Sequence, residues 1–171
     1  VDRNGDGKIT DADKYYYKKP AAPVTMGFAS RLEYHNWDLG FALRASIGNY
    51  VYNDAFASTS NMSTSDLFPK GKFLVNRPSE VVGDNWLSND PTSTQSDYWV
   101  QNASFLKMDN VQLSYNFGKI VKWCSLNASF MVQNVFTLTD YTGVDPECQG
   151  GIDISVYPRP RIYSLTIGLD F

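Results

Sequence analysis

The last eleven residues, Arg161 to Phe171, alternate without a break. Tyr163, Leu165, Ile167, Leu169 and Phe171 make one face. Ser164, Thr166, Gly168 and Asp170 make the other, with Ile162 the one large apolar residue among them. A period of two puts each set on one side of a single β-strand. The same pattern recurs upstream. Thr25 to Tyr34 sets Met26, Phe28, Leu32 and Tyr34 against Gly27, Ala29, Arg31 and Glu33. Trp37 to Val51 sets Trp37, Leu39, Phe41, Leu43, Ala45 and Ile47 against Asp38, Gly40, Ala42, Arg44, Ser46 and Gly48. His35 and Asn36 between these runs predict a tight hairpin turn. Tyr98 to Phe117 returns to strand. Its apolar phase shifts between Met108 and Val111, which predicts a β-bulge near Met108–Asn110. Ser125 to Phe136 alternates again. The fold class is all-β, with about five antiparallel strands.

The connections alternate in length. His35–Asn36 and residues 118–123 are short. Residues 53–97 and 138–160 are long and polar, and residues 2–13 form a further loop ahead of the first strand. The stretch 53–97 carries a Ser/Thr cluster and one possible helical turn over 79–87. A connection of that length counts against a compact soluble domain. Sorting short turns to one side and long loops to the other is the asymmetry of outer-membrane barrels. A long, exposed, apolar edge strand is also a hazard in water, because its unpaired N–H and C=O groups recruit other chains. In a barrel wall the same strand faces lipid on one side and lumen on the other. Residues 1–171 are therefore read as a single piece of an antiparallel, up-and-down transmembrane β-barrel, with 53–97 and 138–160 as extracellular loops. The rival is a β-sandwich.

Eleven Tyr, ten Phe and four Trp suit the aromatic girdles of a barrel. A net charge of −3 and a pI near 5.0 leave no basic face for nucleic acid. No apolar run approaches the ~20 residues of a membrane helix, which does not bear on barrel strands. Val1 opens inside a loop, so the chain is expected to be a fragment of something longer. Cys124 and Cys148 fall at opposite ends of a predicted strand and are expected to be unbonded.

Residues 2–13 read D-R-N-G-D-G-K-I-T-D-A-D, the pattern of an EF-hand or dockerin calcium loop. Asp2, Asn4 and Asp6 take loop positions one, three and five, and Gly7 takes the sharp turn. The carbonyl of Lys8 supplies position seven, and Asp13 closes at position twelve, where Glu is usual. Spacing of i, i+2, i+4 brings several oxygens onto one hard cation. A structural calcium of modest affinity is expected, against the alternative of a solvated turn. His35, the only histidine, is read as a turn residue. No catalytic motif is present, and the chain is read as a non-enzyme. The acidic pairs Asp84/Asp90 and Asp145/Glu147 are read as surface acids. Trp86, Tyr98, Trp99, Tyr141 and Tyr157 are candidate platforms for sugar faces, with interfacial anchoring or loop packing as the alternative.

Taken together, these stretches resemble a TonB-dependent outer-membrane receptor of the SusC/RagA-like type, near its C-terminal end. The matching residues are 2–13, A-S-F-L-K-M-D-N-V-Q-L-S-Y-N-F at 103–117, Q-N-V-F-T-L-T-D-Y-T-G-V-D-P-E at 133–147, Y-P-R-P-R at 157–161 and the terminal strand. A terminal Phe after apolar residues at every second position is similar to the assembly signal of bacterial barrel proteins. The resemblance implies about the last five strands of a 22-stranded barrel. It also implies TonB-driven import of oligosaccharides or peptides with a SusD-like surface lipoprotein, in the bacterial outer membrane. The plug and the TonB-interacting segment would lie outside these residues. The competing reading is a soluble, carbohydrate-binding all-β module with a dockerin-like calcium loop.

Overall fold

A computed structural model describes residues 2–8, 10–60, 96–154 and 157–171. Strands β1 (Val24–Tyr34), β2 (Trp37–Ile47), β5 (Phe105–Val121), β6 (Cys124–Thr139) and β7 (Ile162–Asp170) form one antiparallel sheet in that order. Strands β3 (Tyr50–Tyr52) and β4 (Val100–Asn102) pair with each other beyond one end of the β2/β5 ladder. A short helix, α1 (Asp54–Ser60), follows β3. Among the described residues no helix is long and apolar enough to cross a membrane, which says nothing of strands.

Registers convert the alternation of each strand into two faces of the sheet, because directly paired residues point the same way. Leu32 pairs Leu39, Leu39 pairs Leu113, Leu113 pairs Phe130, and Phe130 pairs Leu165. One unbroken apolar row thus crosses all five strands. One residue along, Glu33, Asp38, Ser114, Ser129 and Thr166 form a wholly polar row on the opposite face. Among the described residues, nothing covers the apolar face. Leu165 is 71% exposed, Ile167 64% and Phe28 60%. Of the buried apolar residues, Val51, Ala57, Trp99, Ala103 and Tyr141 lie in or beside the connections, and Phe105 and Cys124 stand at the very starts of β5 and β6. A sandwich would bury the alternating face and expose its loops; here the arrangement is reversed.

The hairpin turn stands where expected, with His35 in the left-handed region at φ 52°. The expected bulge also stands. The β2/β5 and β5/β6 registers both shift between Met108 and Asn110, leaving Asp109 unpaired. Other boundaries move. The run 37–51 breaks at Gly48, where φ is +84°, so β2 ends at Ile47 and β3 begins at Tyr50. The short connection expected over 118–123 contracts to Lys122–Trp123. Gly118, at φ 72°, makes a bulge instead of a stop, and pairing resumes at Gly118↔Leu126 and Lys119↔Ser125. Part of the region expected to be irregular is α1. The possible helical turn over 79–87 lies outside the described residues.

The two tight turns sit at one end of the sheet. The described parts of the long connections pack together at the other, into a cap stitched by main-chain bonds. The Asn53 amide donates to the Trp99 carbonyl, Ala55 to Asp153, and Asp153 to Tyr52, each at 2.9 Å. A group of aromatic rings lies near the turn end. Trp37 contacts Tyr115 at 4.6 Å between centroids, Tyr115 contacts Phe117 at 4.6 Å, and Trp123 stacks on Phe171 at 5.7 Å.

Candidate functional site

The loop 2–13 is held by its own side chains. Asp2 accepts from the amides of Gly5 (2.7 Å) and Gly7 (2.8 Å). Asn4 accepts from the Asp6 amide (3.0 Å), and Asp6 from the Lys8 amide (2.8 Å). Gly5 and Gly7 take φ values of +76° and +79°, which glycine adopts freely. Asp13 does something the calcium pattern does not foretell. Its carboxylate receives the amides of Arg3 (2.7 Å) and Thr10 (2.8 Å), so it grips both ends of the loop. It also completes a capping box with Thr10 on the short 3-10 turn Asp11–Asp13. The amides of Thr10 and Arg3 hold its carboxyl below the usual range. The donor chemistry of Asp2, Asn4, Asp6 and the Lys8 carbonyl suits a hard cation. Among the described residues, however, no three His, Cys, Asp or Glu side chains converge on one point.

The strongest electrostatic feature lies on the polar face, where the sheet meets the cap. Arg44 on β2 stands directly opposite Lys107 on β5. Two cations opposed across a ladder repel, and Lys107 is only 3% exposed. The compensation comes from 140–161, the connection between β6 and β7. Lys107 Nζ donates to Asp145 at 2.7 Å and to Glu147 at 2.8 Å. Both Nη atoms of Arg44 bond Glu147, and its Nε donates to the bulged Asp109 at 2.7 and 2.9 Å. Arg159 closes the cluster, 3.3 Å from Asp145 and 3.2 Å from Glu147. Burial alone would raise the Glu147 carboxyl; hydrogen bonds from Arg44 and Lys107 outweigh it and hold the group down at about 2.

Asp145 and Glu147 are therefore not the surface acids expected from sequence. Asp145 is 5% exposed and both are spoken for. Periodicity could not reveal this, because the acids reach Arg44 and Lys107 only through a register and a returning loop. A usable signal was present: Arg44 and Lys107 are charged residues on alternating strands, and each needs an anion if its face turns inward. Asp84 and Asp90 lie outside the described residues.

The candidate aromatics divide. Trp99 is 1% exposed and sits against Phe56, Ala57 and Tyr52 inside the cap. Tyr141, 5% exposed, packs on Val51 and Ala103, and its hydroxyl donates to the buried Asp153 at 2.7 Å. Burial and that bond to Asp153 push the Tyr141 phenol well above its ordinary value. Both rings are packed inside the cap. Tyr98 and Tyr157 are open, at 55% and 86% exposed. Trp86 lies outside the described residues. Cys124 and Cys148 are free.

No protein-family model matches the chain. Full-length relatives do. The chain is 43% identical, over its whole length, to the TonB-dependent receptor SusC of Bacteroides thetaiotaomicron. It is 26% identical over its whole length to the TonB-dependent receptor P3 of Formosa agariphila. It spans 17% and 18% of those two relatives. Among solved structures, the RagAB peptide transporter superposes with a TM-score of 0.67 at 22% identity. That match covers 90% of this chain and 18% of the other. The RagAB peptide importer in its closed-closed state gives a TM-score of 0.65 at 19% identity, over 97% of this chain and 20% of the other. At those identities the structural match speaks for the fold.

Proposed function

Since this chain belongs to the SusC-like TonB-dependent receptors, we propose that it forms part of the barrel wall of an outer-membrane transporter that imports oligosaccharides or peptides. The observation that carries the reading is the uncovered apolar face of β1, β2, β5, β6 and β7, backed by a polar face on the same strands. Hydrocarbon is the partner such a face fits. Strands of 11, 11 and 9 residues in β1, β2 and β7 match the ~9–11 residues of a tilted strand crossing a bilayer. The aromatics around Trp37, Tyr115, Trp123 and Phe171 then sit at the periplasmic interface, and the cap faces outward. The closed barrel, a SusD-like lipoprotein over the cap and the TonB contact belong to the same proposal. They rest on the likeness to SusC and to the RagAB structures. The reading assigns transport and no catalysis.

The direct test is extraction of the full-length receptor from cell envelopes. It is expected to stay in the membrane pellet after high salt and to dissolve in detergent. Recovery in the aqueous phase without detergent would favour the soluble carbohydrate-binding module instead.

Calcium on the loop 2–13 is part of the proposal, in a structural role. Asp2, Asn4, Asp6 and the Lys8 carbonyl would hold it, with Asp13 as the residue that closes the loop. What supports it is the oxygen donor set on a turn with two left-handed glycines. A peptide spanning the loop, titrated with calcium, should lose at least about tenfold in affinity on Asp6→Ala. Equal uptake by both peptides would leave the loop a self-capped turn.

A further inference from the structure

We propose that Lys107 and Arg44 are positioning residues that clasp the connection 140–161 against the polar, lumen-side face of the wall, so that it acts as a fixed rim of the transporter's mouth. The lumen-side assignment rests on the barrel reading above; the clasp itself does not.

Three observations support a clasp. The first is the source of the charges. Both wall cations stand on neighbouring strands, and two of their three anions arrive from 140–161. Separating the connection from the wall would remove both carboxylates from Lys107 and leave it directly opposite Arg44. Like charges opposed across a ladder are destabilising. The second is that the far end of the connection is tied down separately. Asn134 sits in β6 at φ 53°, a conformation uncommon outside glycine. Its Nδ2 donates to the Arg159 carbonyl at 2.8 Å, and Arg161 Nε returns a bond to the Asn134 carbonyl at 3.2 Å. The third is that the two irregularities coincide. The β5/β6 register breaks between Met108↔Phe136 and Asn110↔Gln133, so Asp109 and Asn134 fall in the same gap of the ladder. Asn134 thus bonds the connection's end directly, and Asp109 acts on it through Arg44. Bulges that re-aim a side chain are built features of a sheet.

Cys148 provides a reporter. It follows Glu147, it is half-buried, and its Sγ donates to the Asp145 carbonyl at 3.2 Å. Burial and the nearby acids push its thiol up to about 11, so it reacts slowly while the connection is docked. The experiment uses the full-length receptor in outer-membrane fractions. The rate of maleimide labelling at Cys148 is read by peptide mass spectrometry, and barrel assembly is read separately by heat-modifiable mobility. Lys107→Met is expected to speed labelling at least about tenfold, with the barrel still assembled. An unchanged or slower rate in an assembled Lys107→Met receptor would overturn the clasp. If that variant does not assemble, Arg159→Ala decides, because Arg159 is half-exposed at the edge of the cluster. Faster labelling upholds the proposal and an unchanged rate rejects it. A receptor found in the aqueous phase would defeat the barrel reading while leaving the labelling rates to answer for the clasp.

Discussion

Leu165→Arg is expected to prevent the full-length receptor from accumulating in the outer membrane, whereas Thr166→Arg, one residue along, is expected to leave it close to wild type. Leu165 closes the apolar row that runs through Phe130, Leu113 and Leu39 to Leu32. In a lipid-facing position near mid-strand, an arginine costs roughly 2–4 kcal/mol. That is a large part of the margin by which a domain is stable. Thr166 belongs to the polar row with Ser129, Ser114, Asp38 and Glu33, where a cation meets water or polar neighbours. A soluble module makes the opposite forecast. Leu165 is 71% exposed, and on a protein in water such a substitution falls within about ±0.5 kcal/mol and improves solubility. Heat-modifiable receptor in membrane fractions is the measurement. Equal amounts from both variants would mean that water, not lipid, lies against Leu165.

The same contrast explains what could be read without coordinates. Alternation is a property of the strand itself, so the two faces, the His35–Asn36 turn and the bulge at Met108–Asn110 were visible in residue order. A bulge shows because it breaks phase: Leu106 and Met108 are even, Val111 and Leu113 odd. The strand ends were less legible because they depend on pairing. Gly48 and Gly118 are both left-handed, yet one divides a strand and the other only kinks it. The difference is whether the neighbour goes on supplying partners, as β6 does through Ser125 and Leu126.

The site was the least legible part, for a related reason. Arg44, Lys107 and Asp109 belong to strands, and Asp145, Glu147 and Arg159 to a connection. Their meeting is a fact of register plus the path of the connection, and neither has a local signature. Locally specified features fared better in position than in role. The sequence placed Asp13 at the close of the loop 2–13, but its grip on the Arg3 and Thr10 amides is a main-chain arrangement that a calcium pattern does not encode. Trp99 and Tyr141 show the same limit. Aromatics in polar loops look alike in sequence whether they stack on a ligand or fill a small core.

That ambiguity makes Trp99→Ala the second informative substitution. The elements around Trp99 are short. The β3/β4 ladder is three residue pairs long, α1 has seven residues, and isolated elements of that size do not persist in water. Trp99 joins them, fully buried against Ala57 and edge-on to Phe56 at 5.4 Å. Its own carbonyl receives the Asn53 amide at the start of α1. Truncating a buried tryptophan to alanine costs about 3–5 kcal/mol. The five-stranded ladder does not run through this cluster, so the loss should be confined to local opening of the cap. Trp99→Ala receptor is therefore expected to assemble and remain heat-modifiable. Residues 50–60 and 97–104 should exchange amide protons on the order of a hundredfold faster, which is the lower end of that free energy expressed as a rate. Faster exchange at the Asn53 and Ala55 amides, with β5 and β6 unchanged, would place Trp99 in the cap's core. Unaltered protection together with weaker cargo binding would instead make Trp99 a contact for the transported molecule, and the cap would then need another source of order.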